Sequence, residues 1–321
     1  MRGASVGILG AAGAVGSAAA FALALGGAEQ LVLADADAAA QRLAAQRLDL
    51  EALAAVLPGL DVAIGDLDAL ARCDVVVACA GVPHRDGAPR AAFLAENVAI
   101  LAPLADAIDH AQSDGAGRRR AVVLVTNPVD ALATLLQRRL GERAHVVGHT
   151  LNDTLRLRVA IARCRGCAPS EVEAWSVGEH GPHAVPLLSR VRVRGAPATL
   201  SADEQARVRA EVGGWYERWQ QLGTGRTTQW SSGWGVAAVV RALLCGDSRP
   251  WPVSTLLGGA WGVEGTCLTA PALLEPGRAP RVLAWDVAPD ERAAIAAAAA
   301  AVAGACDALA SVGASASGGM P

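Results

Sequence analysis

The chain has 321 residues, which at roughly 150 residues per domain points to two domains. Apolar residues make up 52% and charged residues 18%, a balance that excludes disorder over most of the length, because disorder needs low hydrophobicity and high charge. The net charge of −3 leaves no basic excess to neutralise a phosphate backbone, which excludes a dedicated nucleic-acid binder.

Residues 5–10 form a short apolar strand pattern, residues 10–16 a glycine-rich turn, and residues 17–25 an Ala/Leu helix closed by Gly26 and Gly27. A second strand over 31–35 ends in Asp35, and a helix over 38–57 stops at Pro58. Residues 74–80 are continuously apolar, as expected of a parallel strand buried on both faces. A Pro/Gly/Arg-rich stretch at 83–90 leads to a helix over 91–111, a buried strand over 121–126, a helix over 129–140 and a strand over 145–148. This alternation predicts an α/β domain over 1–148, built on a doubly wound parallel sheet. The pattern then changes. A helix over 153–165 precedes strands near 172–177 and 185–193, helices near 201–222 and 233–245, strands near 252–285 and an Ala-rich helix near 290–310. A second, mixed α+β domain is expected over 149–314, with 315–321 as a disordered tail. The Ala-rich run 293–305 is too short and too weakly apolar for a bilayer span of about 20 residues. The N-terminus has a glycine turn where a signal peptide needs an apolar core. A cytoplasmic protein without a membrane partner is expected.

The turn at 10–16 carries the first chemical signal. Backbone amides at a helix N-terminus form an anion site, and glycine lets the chain approach a pyrophosphate closely. The spacing here is G-x-x-G-x-x-G at Gly10, Gly13 and Gly16, a variant of the usual G-x-G-x-x-G. It follows a strand and opens a helix, and Asp35 stands about 20 residues beyond it to hydrogen-bond an adenosine ribose, which predicts a Rossmann dinucleotide site. The Asp35 carboxylate would repel a 2′-phosphate, so NAD is expected rather than NADP. All 28 basic residues are Arg, which removes Schiff-base and P-loop lysine chemistry. The seven cysteines are odd in number and scattered, against a disulfide framework. Cys164 and Cys167 form a lone C-x-x-C with no further ligands at zinc spacing, so no metal is expected.

Hydride transfer to a 2-oxo acid needs a carboxylate clamp, a polariser for the carbonyl, a proton donor and a partner for that donor. Arg suits the clamp through its planar fork, and His suits the donor through a pKa near neutrality. Candidates for all four roles occur in order. They lie within the blocks GAAGAVGS (10–17), LVLADAD (31–37), DVVVACAGVPHRDGAPR (74–90), VLVTNPVD (123–130), NDTLRLR (152–158), GEHGPHAVPLLS (178–189) and PVSTLLGGAWGVEG (252–265). Taken together and in this order, the blocks resemble the lactate/malate dehydrogenase family over nearly the whole chain, about 4–312.

The resemblance implies an NAD-dependent oxidoreductase acting between a 2-hydroxy acid and a 2-oxo acid. His180 would be the acid/base and Asp153 its partner. Arg156, one helical turn on and on the same face, would grip the substrate carboxylate, and Arg90 would polarise the carbonyl from a closing loop. Asn127 would contact substrate or nicotinamide, with the Val125 backbone nearby. Asn97 would contact the cofactor and Thr228 would line the substrate pocket. A homodimer or homotetramer is implied. Two departures stand out. His84 occupies the position where malate enzymes usually carry a specificity Arg and lactate enzymes Gln, with Arg85 beside it. Pro182-His183 follows His180-Gly181, where relatives usually have Asp-Ser. These point to a polar or bulky 2-oxo acid. The block Gln229–Trp234 reads either as pocket lining or as a helix start with two core tryptophans. Malate dehydrogenase proper and a non-catalytic NAD-binding relative stay open as alternatives. An NAD-dependent glycosidase would need a metal-binding Cys/His set and a tyrosine base, and Tyr216 is the only tyrosine.

Overall fold

The computed structural model describes residues 1, 3–82, 90–113, 120–224 and 227–317, of which 90–91, 112–113 and 310–317 are described by backbone alone. His84 and Arg85 lie outside the described residues, as does the Arg90 side chain.

Strand and helix alternate from the N-terminus: β1 (Ser5–Leu9), α1 (Ala14–Leu25), β2 (Gln30–Ala34), α2 (Ala40–Glu51), β3 (Asp61–Ile64), α3 (Leu67–Arg72), β4 (Val75–Ala78), α4 (Arg90–Ser113), β5 (Arg120–Leu124), α5 (Val129–Leu140) and β6 (Ala144–His149). These strands are parallel in the order β3-β2-β1-β4-β5-β6. That is the doubly wound order, in which ligands bind outside the C-terminal ends of the strands. The inner strands are largely apolar because helices cover both faces; every residue of β4 is buried. β3 and α3 carry weak sequence signals. β3 is an edge strand with only Val62 buried, and α3 spans six residues capped by Asp66, whose carboxylate accepts the Ala69 N–H at 2.8 Å.

The second half comprises α6 (Leu151–Arg165), β7 (Val172–Glu173), β8 (Ser176–Gly178), β9 (Ala184–Pro186), β10 (Arg192–Val193), β11 (Ala196–Pro197), α7 (Ala202–Gly213), α8 (Trp215–Gln221), α9 (Trp230–Cys245), β12 (Asp247–Gly258), β13 (Glu264–Leu274), β14 (Arg281–Val282) and α10 (Pro289–Ser317). The expected strand near 185–193 is two short strands separated by a turn of 3-10 helix at Leu188–Arg190.

The two halves share one sheet. β12 runs antiparallel to β6, with Val253 opposite His149 and Ser254 opposite Gly148. β13, β8 and β9 extend the sheet beyond it, and β14 pairs with β13. A division at residue 148 therefore cuts a continuous sheet. The cores mix as well: Val236, Val239 and Val240 of α9 pack with Ala19 and Leu23 of α1. The cluster of Leu157, Ile161, Val172, Leu188 and Val208 belongs wholly to the second half.

α10 is longer than the sequence pattern predicts, and by length and composition its stretch Pro289–Leu309 could cross a bilayer. Its stripe of Ile295, Ala298, Val302 and Cys306 is instead buried in the protein core, and the helix runs to Ser317, into the stretch expected as a tail. Trp230 and Trp234 are 73% and 56% exposed, which removes the core alternative for this block, because α9 turns Gly233, Val236 and Val240 inward and leaves the tryptophans on its outer face.

At Gly233 the two helices touch through backbone: an added Cβ would lie 2.6 Å from the Ala18 carbonyl carbon. Gly233→Ala should push α1 off α9 and lower stability by about 1–3 kcal/mol. Urea unfolding followed by circular dichroism measures it; an unchanged midpoint would show that the helices are free to separate.

Candidate active site

The glycine turn sits where β1 leaves the sheet. Gly10 has φ +81°, and a Cβ there would lie 2.5 Å from the Ala80 backbone nitrogen. A Cβ on Gly16 would lie 2.1 Å from the Gly10 carbonyl oxygen. Only glycine permits this approach. Gly13 is the N-cap of α1 and offers no side-chain cap, so amides of the first turn remain available to an anion. Asp35, just beyond β2, accepts the Ala12 N–H at 2.8 Å through Oδ2 and the Ala36 N–H at 2.8 Å through Oδ1. The acid is thereby tied to the turn. This cradle, at the C-terminal ends of the parallel strands, fits the pyrophosphate and ribose of a dinucleotide.

A second group assembles from α6 and the loop after β8. Asp153 lies in the first turn of α6, where an acid is favoured by the helix dipole. Its Oδ2 is 2.5 Å from His180 Nδ1, 27 residues away in sequence. Its Oδ1 is 3.4 Å from Arg156 Nη1, one turn along the same helix. All three side chains are mostly buried. Burial opposes protonation of His180, but the Asp153 carboxylate, reinforced by Asp130, outweighs it and holds the imidazole pKa above its ordinary value. Burial likewise opposes ionisation of Asp153, and the charges of His180 and Arg156 hold its pKa below the ordinary value. The pair is therefore poised as imidazolium and carboxylate.

Two residues without an assigned role in the sequence reading support this group. Asp130, in the first turn of α5, accepts the His180 backbone N–H at 2.6 Å. Its burial pushes the carboxyl pKa up to about 6. His149, at the end of β6, is buried, and neither ring nitrogen has a hydrogen-bond partner among the described residues. Burial and then the neighbouring His180 push its pKa down to about 4, so it adds no charge at neutral pH. Asp130 lies in the block 123–130, three residues after Asn127; His149 shares its strand with a second histidine, His145, so no sequence signal singles it out.

The remaining predicted residues fall around this centre. Asn97 is fully buried; its Oδ1 accepts the Val82 N–H at 2.9 Å and its Nδ2 donates to the Asn127 carbonyl at 2.8 Å. The Asn127 side chain is exposed at the end of β5, and the Val125 N–H donates to the Ala78 carbonyl at 2.9 Å. The Thr228 carbonyl accepts from Ser232 Oγ at 2.7 Å, and Asn152 Nδ2 donates to the same Oγ at 2.8 Å. Thr228 is thus linked to the helix that carries Asp153. His183, in the unusual Pro182-His183 pair, has its Nδ1 2.5 Å from Glu179 Oε2, forming a second imidazole–carboxylate contact. Among the described residues no group of three or more His, Cys, Asp or Glu could hold a metal. Cys164 and Cys167 are free thiols.

Residues 4–147 match the family described as lactate/malate dehydrogenase, NAD binding domain. The malate dehydrogenase of Halobacterium salinarum is 32% identical over 294 residues, covering 89% of this chain and 93% of that protein. The L-lactate dehydrogenase of Gloeobacter violaceus is 30% identical over 309 residues, covering 91% and 88%. The crystal structure of a minor L-lactate dehydrogenase from Enterococcus mundtii, in its ligands-bound form, is similar in fold, with a TM-score of 0.84 at 24% identity over 95% of this chain and 98% of that one.

Asp130 generates a pH-dependent prediction. Its folded pKa of about 6 lies above the unfolded value of about 3.9, so the folded state favours the protonated acid. Its contribution to stability is full below about pH 4 and is lost as pH rises through about 6. Asparagine keeps an acceptor for the His180 N–H and does not ionise. Asp130→Asn should therefore gain on the parent protein between pH 4.5 and 7.5, by about 2 kcal/mol. Urea unfolding at the two pH values tests this; an equal difference at both would refute it.

Proposed function

This chain belongs to the lactate/malate dehydrogenase family, and we propose how its own residues carry the reaction of that family. The protein is an NAD-dependent oxidoreductase acting on the CH–OH group of 2-hydroxy acids and on the corresponding 2-oxo acids. The observation that carries the assignment of roles is the contact of His180 with Asp153, made beside the Arg156 guanidinium.

Asp153 accepts the Nδ1–H of His180, which leaves Nε2 as the atom that gives or takes the substrate proton. In reduction the imidazolium donates the Nε2 proton to the carbonyl oxygen as it becomes a hydroxyl. In oxidation neutral Nε2 removes that proton. Bound NAD(H) supplies or accepts the hydride at carbon 2 of the acid. Gly10, Gly13 and Gly16 would hold its pyrophosphate and Asp35 its ribose, with Asn97 and the Val125 backbone toward its nicotinamide end. Arg156 binds the C1 carboxylate through its N–H edge. Arg90 polarises the carbonyl, and Asn127 and Thr228 complete the pocket. Asp130 keeps the His180 backbone in register.

The substrate is a 2-oxo acid with a polar or bulky side chain, read by His84 with Arg85 beside it. Support comes from the loop spacing, which puts an imidazole where a guanidinium would pair bidentately with a second carboxylate. Oxaloacetate is the second reading, favoured by relatives named for malate. An NADH-consumption screen across 2-oxo acids of graded size and charge separates the two. Dominant oxaloacetate reduction that tolerates His84→Gln would overturn the first. We place the protein in the cytoplasm as a homodimer or homotetramer. The exposed Phe21 and Leu25 on α1 and Trp230 and Trp234 on α9 support a subunit contact, which light scattering after gel filtration tests.

Reduction needs protonated His180, so its rate should hold above the ordinary imidazole pKa of about 6.5 and fall as pH rises through the raised value. Asp153→Asn removes the charge that raises it. The falling limb of kcat should then move to lower pH, and kcat should drop by about 100-fold or more. A pH–rate profile with an unmoved limb would sink the assignment. His180→Ala should abolish turnover and leave NADH binding, read by nicotinamide fluorescence, nearly unchanged.

A further inference from the structure

Arg156 makes a contact that its proposed role does not require. Its Cζ lies 3.7 Å from the ring centroid of Trp215, the first residue of α8. Trp219, one turn further along α8, stacks on Trp215 with centroids 5.5 Å apart and planes 13° from parallel. A cation and two indoles thus form a stack at the edge of the site. Trp215 and Trp219 are half-buried, whereas Tyr216, Glu217 and Arg218 between them are exposed, so this face of α8 is the one turned toward the protein.

The chemistry of a guanidinium gives this arrangement a consequence. Its flat faces stack on aromatic rings, while its N–H groups lie around the edge and bind carboxylates. An indole on the face therefore does not compete with a substrate for the edge. Burial disfavours the Arg156 charge. Its bond to Asp153 is long, at 3.4 Å, and the short contact of Asp153 goes to His180 instead. The π face of Trp215 supplies attraction without consuming a donor, and it restricts a side chain that otherwise has many rotamers.

We propose that Trp215 is a positioning residue of this site. It holds the Arg156 guanidinium by its face, so that the edge is presented to the substrate carboxylate, and it places an aromatic wall beside that carboxylate. The inference rests on Arg156 as the carboxylate clamp. Because every 2-oxo acid carries the C1 carboxylate, the effect falls on KM for all of them, whatever their side chain.

The test compares Trp215→Phe, Trp215→Leu and Trp215→Ala with Arg156→Lys, using the 2-oxo acid of highest kcat/KM from the screen and NADH affinity as a control. Phenylalanine keeps a π face, and leucine fills space without one. Trp215→Leu and Trp215→Ala should raise KM about 10-fold, the scale of a partly desolvated cation–π contact, with kcat within about threefold and NADH affinity unchanged. Trp215→Phe should restore most of the loss. In the double variant Trp215→Leu/Arg156→Lys, the effects on KM should be less than multiplicative, since the indole acts through the guanidinium. If leucine serves as well as phenylalanine, or the double variant is fully multiplicative, Trp215 merely packs and the proposal falls. If Arg156→Lys raises KM and no Trp215 variant does, the clamp stands and Trp215 has no part in it. If Arg156→Lys leaves KM unchanged, or no 2-oxo acid is reduced, the clamp reading itself falls.

Discussion

The contact between His180 Nδ1 and Asp153 Oδ2, 2.5 Å long and mostly shielded from water, is the constraint around which the site is arranged. Each charge alone would be disfavoured by burial, and removing either partner would strand the other. Together they hold a proton on the imidazole above its usual range. The neighbours are consistent with that balance. Arg156 offsets the Asp153 charge from the far oxygen. Asp130 takes the His180 backbone N–H and adds to the field that favours imidazolium. His149, buried nearby, is kept neutral, so no second cation competes with the first.

The sheet brings these groups together. β6 ends at His149, α6 begins two residues later with Asp153 in its first turn, and β12 pairs with β6 to carry the sheet on to β13 and β8, whose end presents His180. The parallel and antiparallel halves are therefore one mechanical unit. α9 reinforces this by packing against α1 immediately behind the glycine turn. The cofactor cradle and the proton-transfer pair then stand on a shared scaffold, which suits chemistry that needs both held in fixed relation.

Much of the first half was legible in the sequence because its signals are local. Continuous apolar runs mark β1, β4 and β5, and glycine spacing marks the turn after β1. Short elements at the sheet edge were not legible: β3 buries one residue and α3 is a six-residue helix, too little for a periodic pattern. The place of the α9 tryptophans stayed open in the sequence for a related reason. Hydrophobicity favours burial on average, but which face of a helix turns inward depends on what it packs against, here the small residues around Gly233.

The sequence by itself determined the dinucleotide-binding topology, the glycine turn with Asp35, and the family to which the motif blocks belong, because each depends on residue type at short separation. It also named His180, Asp153 and Arg156, though only through resemblance. The tertiary structure decided that His180 and Asp153, 27 residues apart, meet at hydrogen-bond distance. It also decided that Asp130 holds the histidine backbone from 50 residues away, and that Trp215 lies on the Arg156 guanidinium. These contacts depend on strand pairing and helix packing across the whole chain, and the burial and neighbouring charges that together shift His180, Asp153 and Asp130 exist only once that packing has formed.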